Sequence, residues 1–372
     1  MDDVHARFAA TRLCVCVGPG GAGKTTVSAA LALALGRSGR RVFLLTVDPA
    51  RRLADALGVS LSDAGAEVPL PRGATGRVFA AMLETQTGWD AAIGRLAPDP
   101  TRRQAILDNR VYQAFSRTLA RSHAYVAMER LHEALEARDE AGQPRWDLVV
   151  LDTPPMMNAL EILDAPAVLG RFVEARVVSA WIGRGASWQP GARAARTVLS
   201  MVMGAGLAGE LAGFLEAFAP LREGFAGRSA AVRAALDAPS TTYVLVTGHA
   251  EAQLGDALHL RDELARRGRH VAGLVLNRAM PAPSRLDPDD GWDAGAARAW
   301  LATACEDADE ADALLALLEA RRARVAEERV AVRQAVERLG PSCPWVVCLP
   351  SEAEGPASPG ALLALFERAR RP

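Results

Sequence analysis

The sequence predicts an α/β protein: a doubly wound, mostly parallel sheet with helices on both faces. Three observations predict it. Short, β-branched apolar runs recur along the 372 residues, Ala- and Leu-rich helical stretches separate them, and a glycine-rich loop joins the first run to the first helix. Half of the residues are hydrophobic and 23% are charged, which suits a globular chain with a large buried core.

Arg12 to Val17 (RLCVCV) is unbroken in its hydrophobicity from Leu13 onward, the pattern of a strand buried on both faces. Cys14 and Cys16 alternate with valines there and read as inert core residues. GPGGAGKTT (18–26) follows, and TTVSAALALALGRSG then reads as a helix closed by Gly36 or Gly39. RVFLLTV (41–47), GRVFAAML (76–83) and WDLVVLD (146–152) supply three more strands, with helical spacing across 101–140. From Asn158 to about Asp237 no strand signal appears, and the segment keeps a helical period. Alternation resumes with TTYVLVT (241–247), a helix near 250–267 and HVAGLVLN (270–277). A long amphipathic helical stretch at 305–339, PWVVCLP (344–350) and a helix at 359–370 complete the series. The expected organisation is one domain over 1–372, with a helical insertion at 158–238 lying over the carboxyl edge of the sheet. No internal repeat is visible.

Charge and cysteine usage narrow the function classes. A net charge of −1 and a pI near 6.6 give no global field for nucleic acid or anionic lipid. The arginines of 319–333 alternate with Glu and Val, a salt-laced helix face rather than a nucleic-acid surface. Five cysteines without C-x-x-C spacing, after an acidic N-terminus (MDDVHARFAA), predict reduced thiols and a cytoplasmic location. The apolar stretch Thr197 to Gly209 is too short to span a bilayer, which takes about 20 residues. Six scattered histidines offer no metal-ligand spacing, so no metal beyond a nucleotide's Mg2+ is expected.

The loop carries the chemistry. Gly18-x4-Gly23-Lys24-Thr25 fits the Walker A pattern G-x-x-x-x-G-K-[ST], with a buried strand before it and a helix after it. Backbone amides of Gly20, Gly21, Ala22 and Gly23 curl into an anion nest backed by the helix N-terminus. Lys24 adds a mobile charge for the β- and γ-phosphates of ATP, Thr25 a hydroxyl for Mg2+, and Thr26 a contact to the α-phosphate. Lys24 is the only lysine among the 43 Lys and Arg of the chain. An arginine's planar fork does not fit the same space. Asp48 and Asp152 end two strands at the ligand edge, where one carboxylate serves the metal's water shell and one orients the attacking water.

Loop, VDPARRLADALG and LDTPPMMNALEILDAP, in this order and spacing, resemble the ArsA-type ATPases. That family includes the arsenite-pump ATPase and the targeting factors for tail-anchored membrane proteins. The likeness extends to AAMLETQTGWD, HAYVAMERLHEAL, VLVTGHAEAQLGDA, GLVLNR and LPSEAEG, and is closest to a divergent bacterial branch with DTPP in place of DTAP. The resemblance implies a P-loop ATPase that uses Mg2+-ATP and works as a nucleotide-switched dimer. It assigns Asp48 to the attacking water, Asp152 to the Mg2+ region, Asn277 to adenine, and Pro350 with Ser351 to a second adenine loop. It matches the insertion to the segment that forms a groove for a hydrophobic client helix or membrane protein. Met156, Met157, Met201 and Met203 suit such a groove, and suit ordinary helix packing at least as well.

The departures are informative. The family loop reads G-K-G-G-x-G-K-T, whose first lysine crosses to the partner's phosphates, and this chain has Pro19 there. Proline has neither charge nor N–H. Three arrangements answer to it: a homodimer in which Arg51 or Arg52 substitutes, a heterodimer with a lysine-bearing related subunit, or slow hydrolysis with binding as the purpose. The zinc C-x-x-C of the eukaryotic factors is absent, so no structural zinc is expected. No cysteine lies between Cys16 and Cys305, which removes the thiolates that a soft metalloid needs and ranks arsenite extrusion third. Asn158 stands where DTAPTGH-type members carry a histidine.

Overall fold

Residues 2–47, 52–83, 93–94, 97, 99–110, 113, 123–155, 159–167, 221–279, 293–340, 343, 345–351 and 358–369 are described by a computed structural model. The strands are β1 (Leu13–Val17), β2 (Arg41–Thr46), β3 (Ala66–Val68), β4 (Arg77–Met82), β5 (Leu148–Asp152), β6 (Thr241–Thr247), β7 (Val271–Ala279) and β8 (Trp345–Pro350). They form one sheet in the order β3-β4-β2-β5-β1-β6-β7-β8. Pairing is parallel throughout except for β3 against β4. The helices are α1 (Asp2–Phe8), α2 (Lys24–Arg37), α3 (Arg52–Leu57), α4 (Pro100–Leu107), α5 (His123–Glu136), α6 (Arg222–Leu236), α7 (Glu251–Arg266), α8 (Ala294–Ala304), α9 (Ala308–Leu339) and α10 (Pro359–Glu367). Residues 159–167 are also helical.

The unbroken apolar strands follow from two separate cores. In β1, Leu13, Val15 and Val17 join the core under α5, α6 and α7, while Cys14 and Cys16 join the one under α2 and α10. All five are at most 1% exposed, so neither face of the strand meets water and no alternation is needed. Helix α2 is buried along nearly its whole length, from Val27 to Gly36, which explains its Ala/Leu composition on every side. β1 is central: the chain leaves it for β2 on one side and later returns to place β6 on the other. In an open parallel sheet, such a reversal leaves a crevice at the carboxyl ends of the strands.

Several expectations are refined. The short antiparallel strand β3 was not expected, because three residues are too few to show a period of two. The stretch expected as one helix at 305–339 is preceded by α8, and Asp307 caps α9 by accepting from the Glu310 amide (2.7 Å). Within 101–140 the described residues give α4 and α5. Of the expected insertion, 159–167 and α6 are helical, and 168–220, with Met201 and Met203, lies outside the described residues. Met156, Met157 and Asn158 also lie outside them.

Candidate nucleotide-binding site

The loop after β1 is built by close backbone approach. Gly18 packs on β6 so tightly that a Cβ there would stand 1.9 Å from the Val246 carbonyl oxygen. Gly23 has φ 83°, in the left-handed region, and a Cβ would stand 2.1 Å from Asn277 Nδ2. Gly23 also forms the N-cap of α2, with no side-chain cap and no acidic residue in the first turn. The amides at this helix start therefore lack the internal acceptor that most helices supply, the condition for holding an external anion.

Lys24 is 7% exposed and folds back over its own loop, where Nζ donates to the carbonyls of Gly18 (3.2 Å) and Pro19 (3.0 Å). At the next residue, Thr25 Oγ1 donates to Asp152 Oδ2 (2.8 Å) at the end of β5. Asp152 is fully buried and accepts two further hydroxyls, Thr46 Oγ1 (2.8 Å) and Ser28 Oγ (3.3 Å). Burial pushes its carboxyl up to about 6, against the pull of Thr25, Thr46, the Lys24 charge and Ser28. Thr153 locks the same strand end to β1, its hydroxyl donating to the Cys16 carbonyl (2.7 Å). A buried carboxylate touching a threonine hydroxyl is a hard-oxygen pair, and those residues fit Mg2+.

The β7–β8 end completes the edge. Asn277 is 5% exposed, and its Nδ2 donates to the Ala22 carbonyl (3.0 Å), so the side chain braces the phosphate loop from beside it. Arg278 follows with φ 60°, the one non-glycine residue at positive φ among those described, at an irregularity in the β7–β8 register. Pro350 pairs with Ala279, and the Ser351 amide donates to the Ala279 carbonyl (2.7 Å). Among the sequence candidates, Lys24, Thr25, Asp152, Ala22, Gly23 and Asn277 thus meet around one loop. Gly20 and Gly21 are exposed on it, Thr26 lies half-buried in the first turn of α2, and Pro350 and Ser351 stand beyond β7. Asp48 and Arg51 lie outside the described residues, and the side chain of Arg52 does too. Thr46 and Ser28 were missed. Ser28 sits three residues after Thr25 on α2, a spacing that puts both hydroxyls on one helix face.

Phosphate loop, buried strand-end aspartate and parallel sheet define a P-loop type ATPase fold. A family model described as anion-transporting ATPase, the ArsA ATPase family, matches residues 11–290. The chain belongs to that family. It is 33% identical over 162 residues to the arsenical pump-driving ATPase of Escherichia coli, covering 43% of this chain and 24% of that protein. An uncharacterized protein of Streptomyces coelicolor is 30% identical over 296 residues, 76% of this chain and 66% of that one. The ATPase get3 of Schizosaccharomyces japonicus is 29% identical over 155 residues, 41% of this chain and 43% of the yeast protein. The chain thus spans about a quarter of the E. coli pump ATPase and less than half of the yeast ATPase. Among the described residues no helix is long and apolar enough to cross a membrane.

Proposed function

We propose that the protein binds and hydrolyses Mg2+-ATP and works as a nucleotide-switched dimer that handles hydrophobic or membrane-protein segments in the cytoplasm. The observation that carries the nucleotide reading is the meeting of Lys24, Thr25 and Asp152 at an uncapped helix start. In this reading the loop amides from Gly20 to Gly23 and Lys24 hold the phosphates, with Thr26 at the α-phosphate. Thr25 and Asp152 would hold Mg2+, which would supply neutralisation of phosphate charge. Asp48 orients the attacking water. Asn277, Pro350 and Ser351 bound the base. Lys24 is already desolvated and directed along the loop, so substrate phosphates replace the carbonyls of Gly18 and Pro19 as its partners.

A second reading rests on Pro19: a weakly catalytic, nucleotide-binding subunit that pairs with a related, lysine-bearing ATPase. Anion transport, including arsenite, ranks third, as the name of the pump relatives suggests. Titration of the purified chain with ATP and Mg2+ tests the first reading. Lys24→Ala is expected to weaken ATP binding about 100-fold, since it removes a charge-assisted contact in a dry site. Equal binding by both proteins rejects the reading.

A further inference from the structure

The chain between β7 and β8 includes a helical hairpin, α8 folding back on α9, held by Arg298 Nη2 against Asp312 Oδ1 at 2.7 Å. Helix α9 has 32 residues, a rod of about 48 Å. Its carboxyl half is anchored: Glu328, Val332, Ala335 and Leu339 are buried, and Arg261 of α7 donates to the Arg338 carbonyl (3.0 Å). Traced toward the amino end, the same face presents Arg324, Arg321, Leu317, Leu314 and Glu310, three or four residues apart, with the N-cap Asp307 just beyond them, and all are exposed. Leu317 is 66% exposed and Leu314 is 38% exposed. The neighbouring stripe, with Ala311 and Val325 buried, is the one that packs inward, so α8 does not cover this face.

The order of that stripe is acid, acid, leucine, leucine, arginine, arginine. It is symmetric about a point between Leu315 and Ala316. Laid antiparallel on a second copy, Leu314 meets Leu317, Glu310 meets Arg321 and Asp307 meets Arg324, each contact made twice. A parallel arrangement sets acid on acid and arginine on arginine. Arg321 and Arg324 have no hydrogen bond or ion pair among the described residues, whereas Asp307 and Glu310 each accept one backbone amide at the helix start through a single oxygen. Such self-complementarity is the property a two-fold interface requires.

We propose that the exposed face of α9, centred on Leu314 and Leu317, is a docking surface for α9 of a second copy of this chain, paired antiparallel. It uses none of the nucleotide-site residues and forms without nucleotide. Sedimentation equilibrium of the nucleotide-free protein at low salt tests it. Wild type is expected to self-associate, and Glu310→Arg or Arg321→Glu to weaken association about tenfold or more, because each sets like charges together twice. An equimolar mixture of the two variants restores pairing, since each chain then meets its opposite. Leu317→Asp, with unchanged circular dichroism, abolishes it. A wild type that stays monomeric, single variants that associate as wild type does, or a mixture no better than its components each overturns the proposal.

Discussion

At Asp152, burial and hydrogen bonding pull in opposite directions, and burial prevails. Its folded value of about 6 lies above the ordinary 3.8, so the folded state holds the proton more tightly than the unfolded chain. Stability is therefore lost as pH rises from about 3.8 to about 6, and above that range the ionised group costs on the order of 3 kcal/mol. Asp152→Asn is expected to make the nucleotide-free protein about 1–3 kcal/mol more stable at pH 7, with a smaller difference near pH 4.5. Urea unfolding at the two pH values checks this; a variant no more stable than wild type at pH 7 counts against it. On the proposed function, Mg2+-dependent nucleotide binding is expected to fall in the same variant, because Thr25 loses its carboxylate neighbour. Sequence alone marked Lys24, Thr25 and Asp152, since their chemistry is tied to spacing and strand ends. Thr46 and Ser28 were hidden because a hydroxyl inside an apolar run or helix has many structural uses, and only the shared carboxylate singles them out.

Among the elements, β7 does more than extend the sheet. Asn277 carries the phosphate loop on its amide, and the next residue is held at φ 60°. A left-handed arginine costs roughly 1–2 kcal/mol that glycine does not incur. Arg278→Gly is accordingly expected to raise the unfolding free energy by about 1 kcal/mol, while Arg278→Ala, which keeps a Cβ, gives no such gain. Denaturant midpoints of the pair decide it, and equal midpoints would show that the backbone is unstrained. The long buried strands were legible because their hydrophobicity is continuous. The ends were less so: β7 runs to Ala279, two residues past the expected Asn277, because the register shifts there instead of stopping. Helix α8 was missed because AGAARAWLATA follows closely on the Pro- and Asp-rich stretch 281–290, and its start is set by the Asp293 side chain accepting from Gly295 and Ala296.

For the whole molecule, the proposed dimer turns on how each phosphate loop gains a second cation. Pro19 is buried, and its carbonyl, which any residue retains, accepts from Lys24. Pro19→Lys thus preserves that contact and adds a cation. If the protein acts as a homodimer lacking the cross-interface charge, the change is expected to raise kcat of the isolated chain at least about tenfold, up to the roughly 10³–10⁵ that such a charge can supply. Unchanged turnover favours a separate lysine-bearing subunit. The sheet class and the crevice at β1 were readable from strand–helix alternation. What was unreadable is surface: the face of α9 shows its symmetry only once the helix is known to outrun the body that buries its other half.

The phosphate loop also has an analytical use. Because the chain has a single lysine, buried against its own loop, an amine-directed acylating nucleotide has one side chain to find. Apart from the α-amino group, any mass added by such a reagent reports on one position. Occupancy of the site can be counted on intact protein, without digestion, radiolabel or coupled assay.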